Sequence, residues 1–203
     1  MNPPQIITLG MSGASGVQYG LRLLECLLNH GKQVYVTLSE AAQVVFAMET
    51  ELQLPGKIDD LQRFFAKRFN AQPGQLQVFG NKQWAAPIAS GSAVADAMVV
   101  CPCSSGCLSA IATGASDNLL ERAADVTLKE RKPLILVHRD TPLSAIHLQN
   151  MLTLTQVGAL ILPANPGFYH RPQSIDELID AIVARILDHL HIENNLMARW
   201  GLT

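Results

Sequence analysis

Charge is scarce in this sequence. Charged residues make up 16% of its 203 positions, against about 25% in an average soluble chain, so partner subunits are expected to cover part of the surface. The 15 Lys+Arg and 17 Asp+Glu leave a formal charge of −2. A nucleic-acid surface would show clustered Lys and Arg and a pI above about 9, so nucleic acid is excluded as a partner. Long hydrophobic runs are missing as well: no uninterrupted apolar stretch approaches the roughly 18 residues of a membrane span. The opening Met1-Asn-Pro-Pro-Gln carries neither the basic segment nor the apolar stretch of a signal peptide. The four cysteines, Cys26, Cys101, Cys103 and Cys107, are too few and too clustered for a disulfide framework. These absences point to a cytoplasmic globular protein with one domain over residues 1–203.

What is abundant is apolar, 48% of the chain, and it alternates between short and long stretches. Ile6-Ile-Thr-Leu is a β-branched run of the kind that forms a strand buried on both faces. Gly10-Met-Ser-Gly-Ala-Ser-Gly16 punctuates it. Val17, Leu21, Leu24, Leu27 and Leu28 then recur at helical spacing up to Asn29, and Gly31 supplies the stop. Gln33 to Leu38 reads as the next strand and Glu40 to about Glu49 as a helix, a βαβ unit with a right-handed crossover. Further strands are expected at Ala97–Cys101, Leu134–Val137 and Ala159–Leu162. Further helices are expected at Leu108–Lys132 with a break near Gly114, at Ser144–Thr155 and at Ile175–Leu190. Such alternation specifies an α/β layered fold with a mostly parallel sheet. Residues 51–95 read as an insertion, with one amphipathic helix from Asp59 to Phe69 and a loop around Pro87 to Ser92 that suits a lid or substrate loop.

In open α/β sheets, ligands sit at the carboxyl ends of the strands where the strand order reverses. The Gly10–Gly16 turn lies at such an end, and the helix behind it offers free N–H groups and a positive dipole end. Its glycines fall at 10, 13 and 16, so the G-x-G-x-x-G dinucleotide fingerprint is absent. The second strand ends in Leu38-Ser39, with no acid to hold a ribose diol, which argues against NAD. A phosphate-binding P-loop is missing too. What remains is a group of small hydroxyls, Ser12, Ser15 and Ser39. Two readings stand: a mononucleotide site for a ligand such as FMN, or a tight turn that needs glycine for positive φ. The second turn, Cys101-Pro-Cys-Ser-Ser-Gly-Cys107, lacks the Cys-x-x-Cys pair and nearby His of a zinc site. Its thiols read as small buried fillers, while Ser104, Ser105 and Gly106 offer hydroxyls and backbone donors.

Five motifs taken together are Gly13-Ala-Ser-Gly16, Pro102-Cys-Ser-Ser-Gly106, Glu121-Arg-Ala-Ala-Asp-Val126, Leu128-Lys-Glu-Arg131 and Pro166-Gly-Phe-Tyr-His-Arg-Pro-Gln-Ser174. They resemble the UbiX family, the flavin prenyltransferases formerly described as aromatic-acid decarboxylases, and the likeness runs from about Ile6 to Trp200. The resemblance implies a three-layer, flavodoxin-like or Rossmann-like α/β fold with helices on both faces of a mostly parallel sheet. It also implies a homo-oligomer, typically a dodecamer. The implied reaction joins the dimethylallyl group of dimethylallyl monophosphate to reduced FMN without a metal. Its product, prenylated FMN, serves UbiD-type decarboxylases in ubiquinone biosynthesis or aromatic-acid decarboxylation.

By the same resemblance, Gly13, Ala14, Ser15, Ser39, Ser104, Ser105, Gly106, Cys107 and Arg139 hold FMN. Tyr169 and Arg185, aided by Arg122 and Lys129, hold the phosphate of the donor. Ser15, Glu49, Trp84 and Ser90 line the reacting centre. Asp140, grouped with the substrate-binding residues, stands where the family usually has the longer Glu. Cys107 stands where a threonine is expected and replaces a hydroxyl donor with a weak thiol.

The chemistry constrains these assignments. Each phosphate carries about −1.5 to −2 charges near neutral pH, so two of them in one pocket require locally gathered cations. Arg122 and Lys129, seven apart, share a helix face, Arg139 ends a strand, and Arg185 edges the stripe of the last helix. We expect these four to converge on the strand ends; each taken alone reads as a solvated charge. Departure of an allylic phosphate leaves positive charge that a dry aromatic face stabilises by about 2 kcal/mol. Trp84 is the candidate, with packing on the sheet as its other reading. Glu49, Ser15 and the released phosphate are candidates to carry the proton lost at ring closure; apart from the resemblance, Glu49 reads as an exposed helix-end carboxylate. Tyr169 belongs to a loop, 163–173, suited to closing over the donor. Two rival functions remain, an FMN-dependent cysteine-type decarboxylase and a non-catalytic FMN carrier. The first wants a catalytic His after the first helix region, and the second needs no convergence of Lys129, Arg139 and Arg185. A direct decarboxylase would leave a cation-lined phosphate pocket without purpose.

Overall fold

The alternating apolar stretches become paired strands and packed helices in the computed structural model, which describes residues 3–199 and 201. The start at Met1 and the end of the family likeness at Trp200 lie outside the described residues. The first half of the chain runs β1 (Ile6–Met11), α1 (Val17–Asn29), β2 (Gln33–Leu38), α2 (Glu40–Glu49), α3 (Ile58–Arg68) and β3 (Leu76–Phe79). The second half adds β4 (Ala97–Cys103), α4 (Ser105–Ala112), α5 (Leu119–Lys129), β5 (Leu134–His138), α6 (Ala145–Gln156), β6 (Leu160–Ile161) and α7 (Ile175–His189). The strands pair in parallel in one sheet, ordered β3-β2-β1-β4-β5-β6. The order reverses between β1 and β4, the doubly wound pattern whose ligand crevice opens at that switch.

Both faces of the sheet are covered, as expected of three layers. Ile7, Leu9 and Met11 of β1 and Ile135 and Val137 of β5 point to one side, where Leu23 and Leu27 of α1 and Ile182 and Ile186 of α7 cover them. Met98 and Val100 of β4 and Leu134 and Leu136 of β5 point to the other, against Leu108 of α4 and Leu119, Leu120 and Ala123 of α5. A strand buried on both faces cannot alternate apolar with polar, which is why the central strands read as unbroken apolar runs. Each fully buried aliphatic side chain contributes about 1.5–3 kcal/mol. No helix of the described residues is long and apolar enough to cross a membrane.

The structure corrects the expected outline in two places. Residues 51–95 are not one insertion: Leu76-Gln-Val-Phe pairs with β2 as an edge strand, so α3 and β3 continue the regular alternation. Four residues with a glutamine among them gave too short a signal. The turn after β4 shrinks to Ser104, because pairing continues through Pro102 to Cys103, with the register shifting between Val100 and Cys103; proline has no N–H to donate to the ladder. The break expected near Gly114 is present: α4 and α5 are parted by residues 113–118, with Gly114 at φ 70°.

Close approach of α1 to the sheet depends on Gly20, where an added Cβ would lie 2.4 Å from the Cys101 carbonyl oxygen. That neighbour is backbone and has no flexible end to yield. Gly20→Ala is expected to lower stability by about 1–3 kcal/mol, read as an earlier midpoint in urea unfolding followed by far-UV circular dichroism.

Candidate active site

Three helices begin at the carboxyl edge of the central strands, two capped by serine and one by glycine. Ser39 caps α2, its Oγ accepting from the Ala42 N–H at 3.1 Å. Ser104 caps α4, its Oγ accepting from the Cys107 N–H at 3.2 Å. The cap position of α1 is Gly16, at φ 104°, a left-handed backbone that disfavours side chains and supplies no capping oxygen. Glu49, at the far end of α2, fills that gap: its Oε2 accepts from Gly16 N–H at 2.8 Å and Val17 N–H at 3.3 Å. The anion that the first helix start attracts is therefore, in part, the protein's own carboxylate. The first turn of α4 keeps the N–H groups of Ser105 and Gly106 without intrahelical acceptors.

The loops carrying these starts are bolted together. Ser12, expected to face a ligand, is buried instead: its Oγ donates to the Pro102 carbonyl at 2.9 Å and accepts from the Ser104 N–H at 2.7 Å. Arg139, just past β5, donates from Nε to the Ser15 carbonyl at 3.3 Å. Ser15, Tyr19, Glu49 and Arg139 line a cavity of about 570 Å³ that reaches Ile175 and Ile179 of α7. Burial raises the Tyr19 phenol above its ordinary range, with Cys101 adding to the rise and Arg139 opposing it. Gly13 lies against α2 beside Ala41, and Ala14 is buried at the same strand ends.

Around α4 a second cluster extends this edge. Ser105 Oγ donates to Asp140 Oδ2 at 2.6 Å and lies 3.0 Å from His138 Nε2; Asp140 Oδ1 accepts from Thr141 N–H at 2.8 Å. The Ser105 hydroxyl is the main reason the exposed Asp140 carboxyl sits below its usual range, with the Thr141 N–H, His147 and His138 adding to the effect. Burial holds His138 below the ordinary imidazole range, against the pull of Asp140 and with the repulsion of His147 and Arg139. Cys101, Cys103 and Cys107 are buried, and the Cys103 thiol is pushed up by its hydrogen bond with Cys107 and by burial. They pack as small apolar side chains. Among the described residues no three His, Cys, Asp or Glu side chains form a group that could hold a metal ion.

The remaining site candidates lie elsewhere, so the expected convergence of four cations on the strand ends does not occur within one chain. Tyr169 and Arg185 meet at a cavity of about 870 Å³ between the 165–170 segment and α7. Arg185 lies about 9 Å along α7 from Ile179, at 1.5 Å per residue, and pairs with Asp188 at 2.8 Å. Arg122 pairs with Asp125 at 2.9 Å and donates to the Ala89 carbonyl at 3.2 Å. Lys129 pairs with Glu130 at the far end of α5, beside Gly91 and close to the exposed Ser90. Trp84 is 48% exposed, which overturns the reading that it packs on the sheet. Sequence reasoning passed over Tyr19 and His138. Tyr19 was legible as the residue one turn from Ser15; His138 was missed because the strand was expected to stop at Val137.

Comparison with known proteins follows the same lines. The Flavoprotein family model matches residues 1–187. The chain is 56% identical over 201 residues to the flavin prenyltransferase UbiX of Pseudomonas aeruginosa, covering 99% of this chain and 96% of that one. Among solved structures it is similar to AnUbiX in complex with FMN and dimethylallyl pyrophosphate, with a TM-score of 0.86, 37% identity and 98% of both chains covered. It is also similar to a dodecameric FMN-dependent UbiX-like decarboxylase from Escherichia coli, with a TM-score of 0.85, 36% identity, and 97% of this chain and 99% of that one covered.

The depressed His138 has a measurable consequence. Its folded pKa lies below the unfolded value, so the unfolded chain binds the proton more readily and stability falls as pH drops below the ordinary imidazole range. Urea unfolding at pH 7.5 and pH 5.5 is expected to show this loss in the wild type and a smaller loss in His138→Gln.

Proposed function

The chain belongs to the UbiX family of flavin prenyltransferases, and on that footing we propose that its strand-end cleft binds reduced FMN and joins to it the dimethylallyl group of dimethylallyl monophosphate. The observation that carries this reading is the grouping of Ser15, Glu49 and Arg139 around one cavity at the β1/β4 switch, beside the open first turn of α4. The donor set fits a flavin mononucleotide. Hydroxyls and helix-start N–H groups suit a phosphate, and the buried strand ends below them suit an apolar ring. In this reading Gly13, Ala14, Ser15, Ser39, Ser104, Ser105, Gly106, Cys107 and Arg139 hold FMN. Reduced FMN supplies the nucleophilic nitrogen and the neighbouring aromatic carbon to which the prenyl group is attached.

The protein's part is electrostatic. Arginine and lysine donors fixed around the leaving phosphate stabilise the charge that develops there and need no reorganisation during the reaction. Arg122, Lys129, Asp140, Tyr169 and Arg185 are assigned to the donor, and Trp84 and Ser90 to the reacting centre. Glu49 already anchors the start of α1 and lines the same cavity as Ser15, which suits the pair to passing the proton released at ring closure. Prenylated FMN then leaves for a UbiD-type decarboxylase. All four cysteines are free thiols, as in a reducing compartment, and the cytoplasm is the proposed location.

The scatter of Arg122, Lys129 and Ser90 away from the cleft supports a shared site. We propose a homo-oligomer, a dodecamer like the E. coli neighbour, in which adjacent chains bring these residues to one another's strand ends. Exposed apolar side chains on α6, with Ile146 69%, Leu148 53% and Leu152 51% accessible, give neighbouring subunits surface to bury.

Two experiments test these readings. Anaerobic incubation with reduced FMN and dimethylallyl monophosphate, with the diphosphate in parallel, is expected to give a flavin heavier by one five-carbon unit. A flavin of unchanged mass from folded, FMN-loaded protein would overturn prenyl transfer in favour of the carrier. Co-expression of Arg139→Ala with Lys129→Ala chains is expected to restore part of the activity that each variant lacks alone. Mixed oligomers no more active than the separate variants would put all the required residues in one chain.

A further inference from the structure

The carboxylate of Asp188 gathers more donors than its place in the helix explains. It sits in the last turn of α7, where the negative end of the helix dipole disfavours an acid. Its Oδ2 accepts from Arg185 Nη1 at 2.8 Å, and its Oδ1 accepts from Arg199 Nη2 at 3.0 Å and Asn194 Nδ2 at 3.1 Å. Two guanidinium groups, one from α7 and one from the segment that follows it, therefore already meet the two oxygens of a single anionic group. The same two arginines line two cavities. One is the cavity of about 870 Å³ that they share with Tyr169 and the apolar Ile182 and Met197. The other, of about 380 Å³, is the one that Asp188 lines. An anion entering the larger cavity thus reaches both arginines before it reaches the carboxylate.

We propose that Arg199 is a second phosphate-binding arginine for the prenyl donor, and that Asp188 is the stand-in anion that Arg185 and Arg199 hold until the donor arrives. The inference rests on the prenyl-transfer reading above and extends the donor site beyond α7. A dimethylallyl phosphate joins an apolar tail to a doubly charged head. The larger cavity offers Ile182 and Met197 to the tail, and Tyr169 with two guanidiniums to the head. A phosphate carries about −1.5 to −2 charges, so one arginine alone leaves part of that charge unmatched. Guanidinium forks bond phosphate oxygens in pairs, and these charge-assisted bonds are the stronger kind. The bonds to Asp188 belong to partly exposed ion pairs, which are weak. A phosphate can therefore draw both arginines away from it. The carboxylate is not stranded when they leave, because Asn194 still donates to Oδ1.

The test is donor saturation of the prenylation rate, measured anaerobically on the FMN-loaded oligomer, with inorganic phosphate as a competing probe. In Arg199→Gln the donor KM and the phosphate inhibition constant are both expected to rise about tenfold. The dissociation constant of FMN is expected to stay at the wild-type value, which also reports that the variant folds. Arg199→Lys keeps the charge and loses the fork, so its constants are expected to fall between the two; it carries the test if the glutamine variant does not fold. Asp188→Asn moves the other way. With the stand-in charge gone, inorganic phosphate is expected to bind about threefold more tightly, whereas a merely structural carboxylate would loosen the site when lost. Unchanged constants in both Arg199 variants, or weaker phosphate binding in Asp188→Asn, overturn the proposal and leave prenyl transfer standing. A wild-type protein that yields no prenylated flavin removes the reading on which it rests.

Discussion

The two loops that frame the cleft come from distant parts of the chain, and a buried hydroxyl ties them together. Ser12 gives its hydrogen to Pro102 and takes one from Ser104, so the turn after β1 and the turn after β4 move as one body. Everything at this edge of the sheet inherits its position from that tie: the cap of α4, the offset of Ser105 toward Asp140, and the approach of Arg139 to Ser15. Losing such a buried partner costs more than the bond itself contributes, because a stranded polar group has no water to turn to.

Charge is managed with equal economy. Arg122, Lys129 and Arg185 each meet a carboxylate close by on the same helix or just beyond its end. These partnerships are partly exposed and individually weak, so they cost little to exchange for a phosphate. Arg139 bonds a carbonyl oxygen instead, which leaves most of its guanidinium to the cleft. The carboxylate of Glu49 spans from the end of α2 to the start of α1. In doing so it offsets a glycine cap whose left-handed backbone the tight turn requires.

Much of this was legible in the residues. The first βαβ unit, the helix boundaries at Val17, Asn29, Glu40 and Glu49, and the glycine turn after β1 follow from periodicity and capping chemistry. The features that escaped are those set by tertiary distance. β3 is an edge strand of four residues, too short to stand out from a loop. Glu49 looks like any helix-end acid until α2 folds back on α1. Arg122 and Lys129 do share a helix, but the direction of α5 carries Lys129 to the opposite edge of the sheet, and no spacing rule reports which edge a helix end reaches. His138 and Ser105 are thirty-three positions apart, and only the pairing of Cys103 with His138 across β4 and β5 brings them together.

The sulfur chemistry under the cleft has a practical outcome. Reduced flavins react with dissolved oxygen and release peroxide, which attacks thiolates far faster than thiols. Cys101 and Cys103 lie fully enclosed; burial raises the first well above the ordinary thiol range, and the hydrogen bond with Cys107 together with burial raises the second. Almost none of their sulfur is in the vulnerable form. Two thiols beneath the strand ends are thus held in the protonated form, which peroxide attacks slowly, so the floor of the sheet is built from sulfur that resists oxidation.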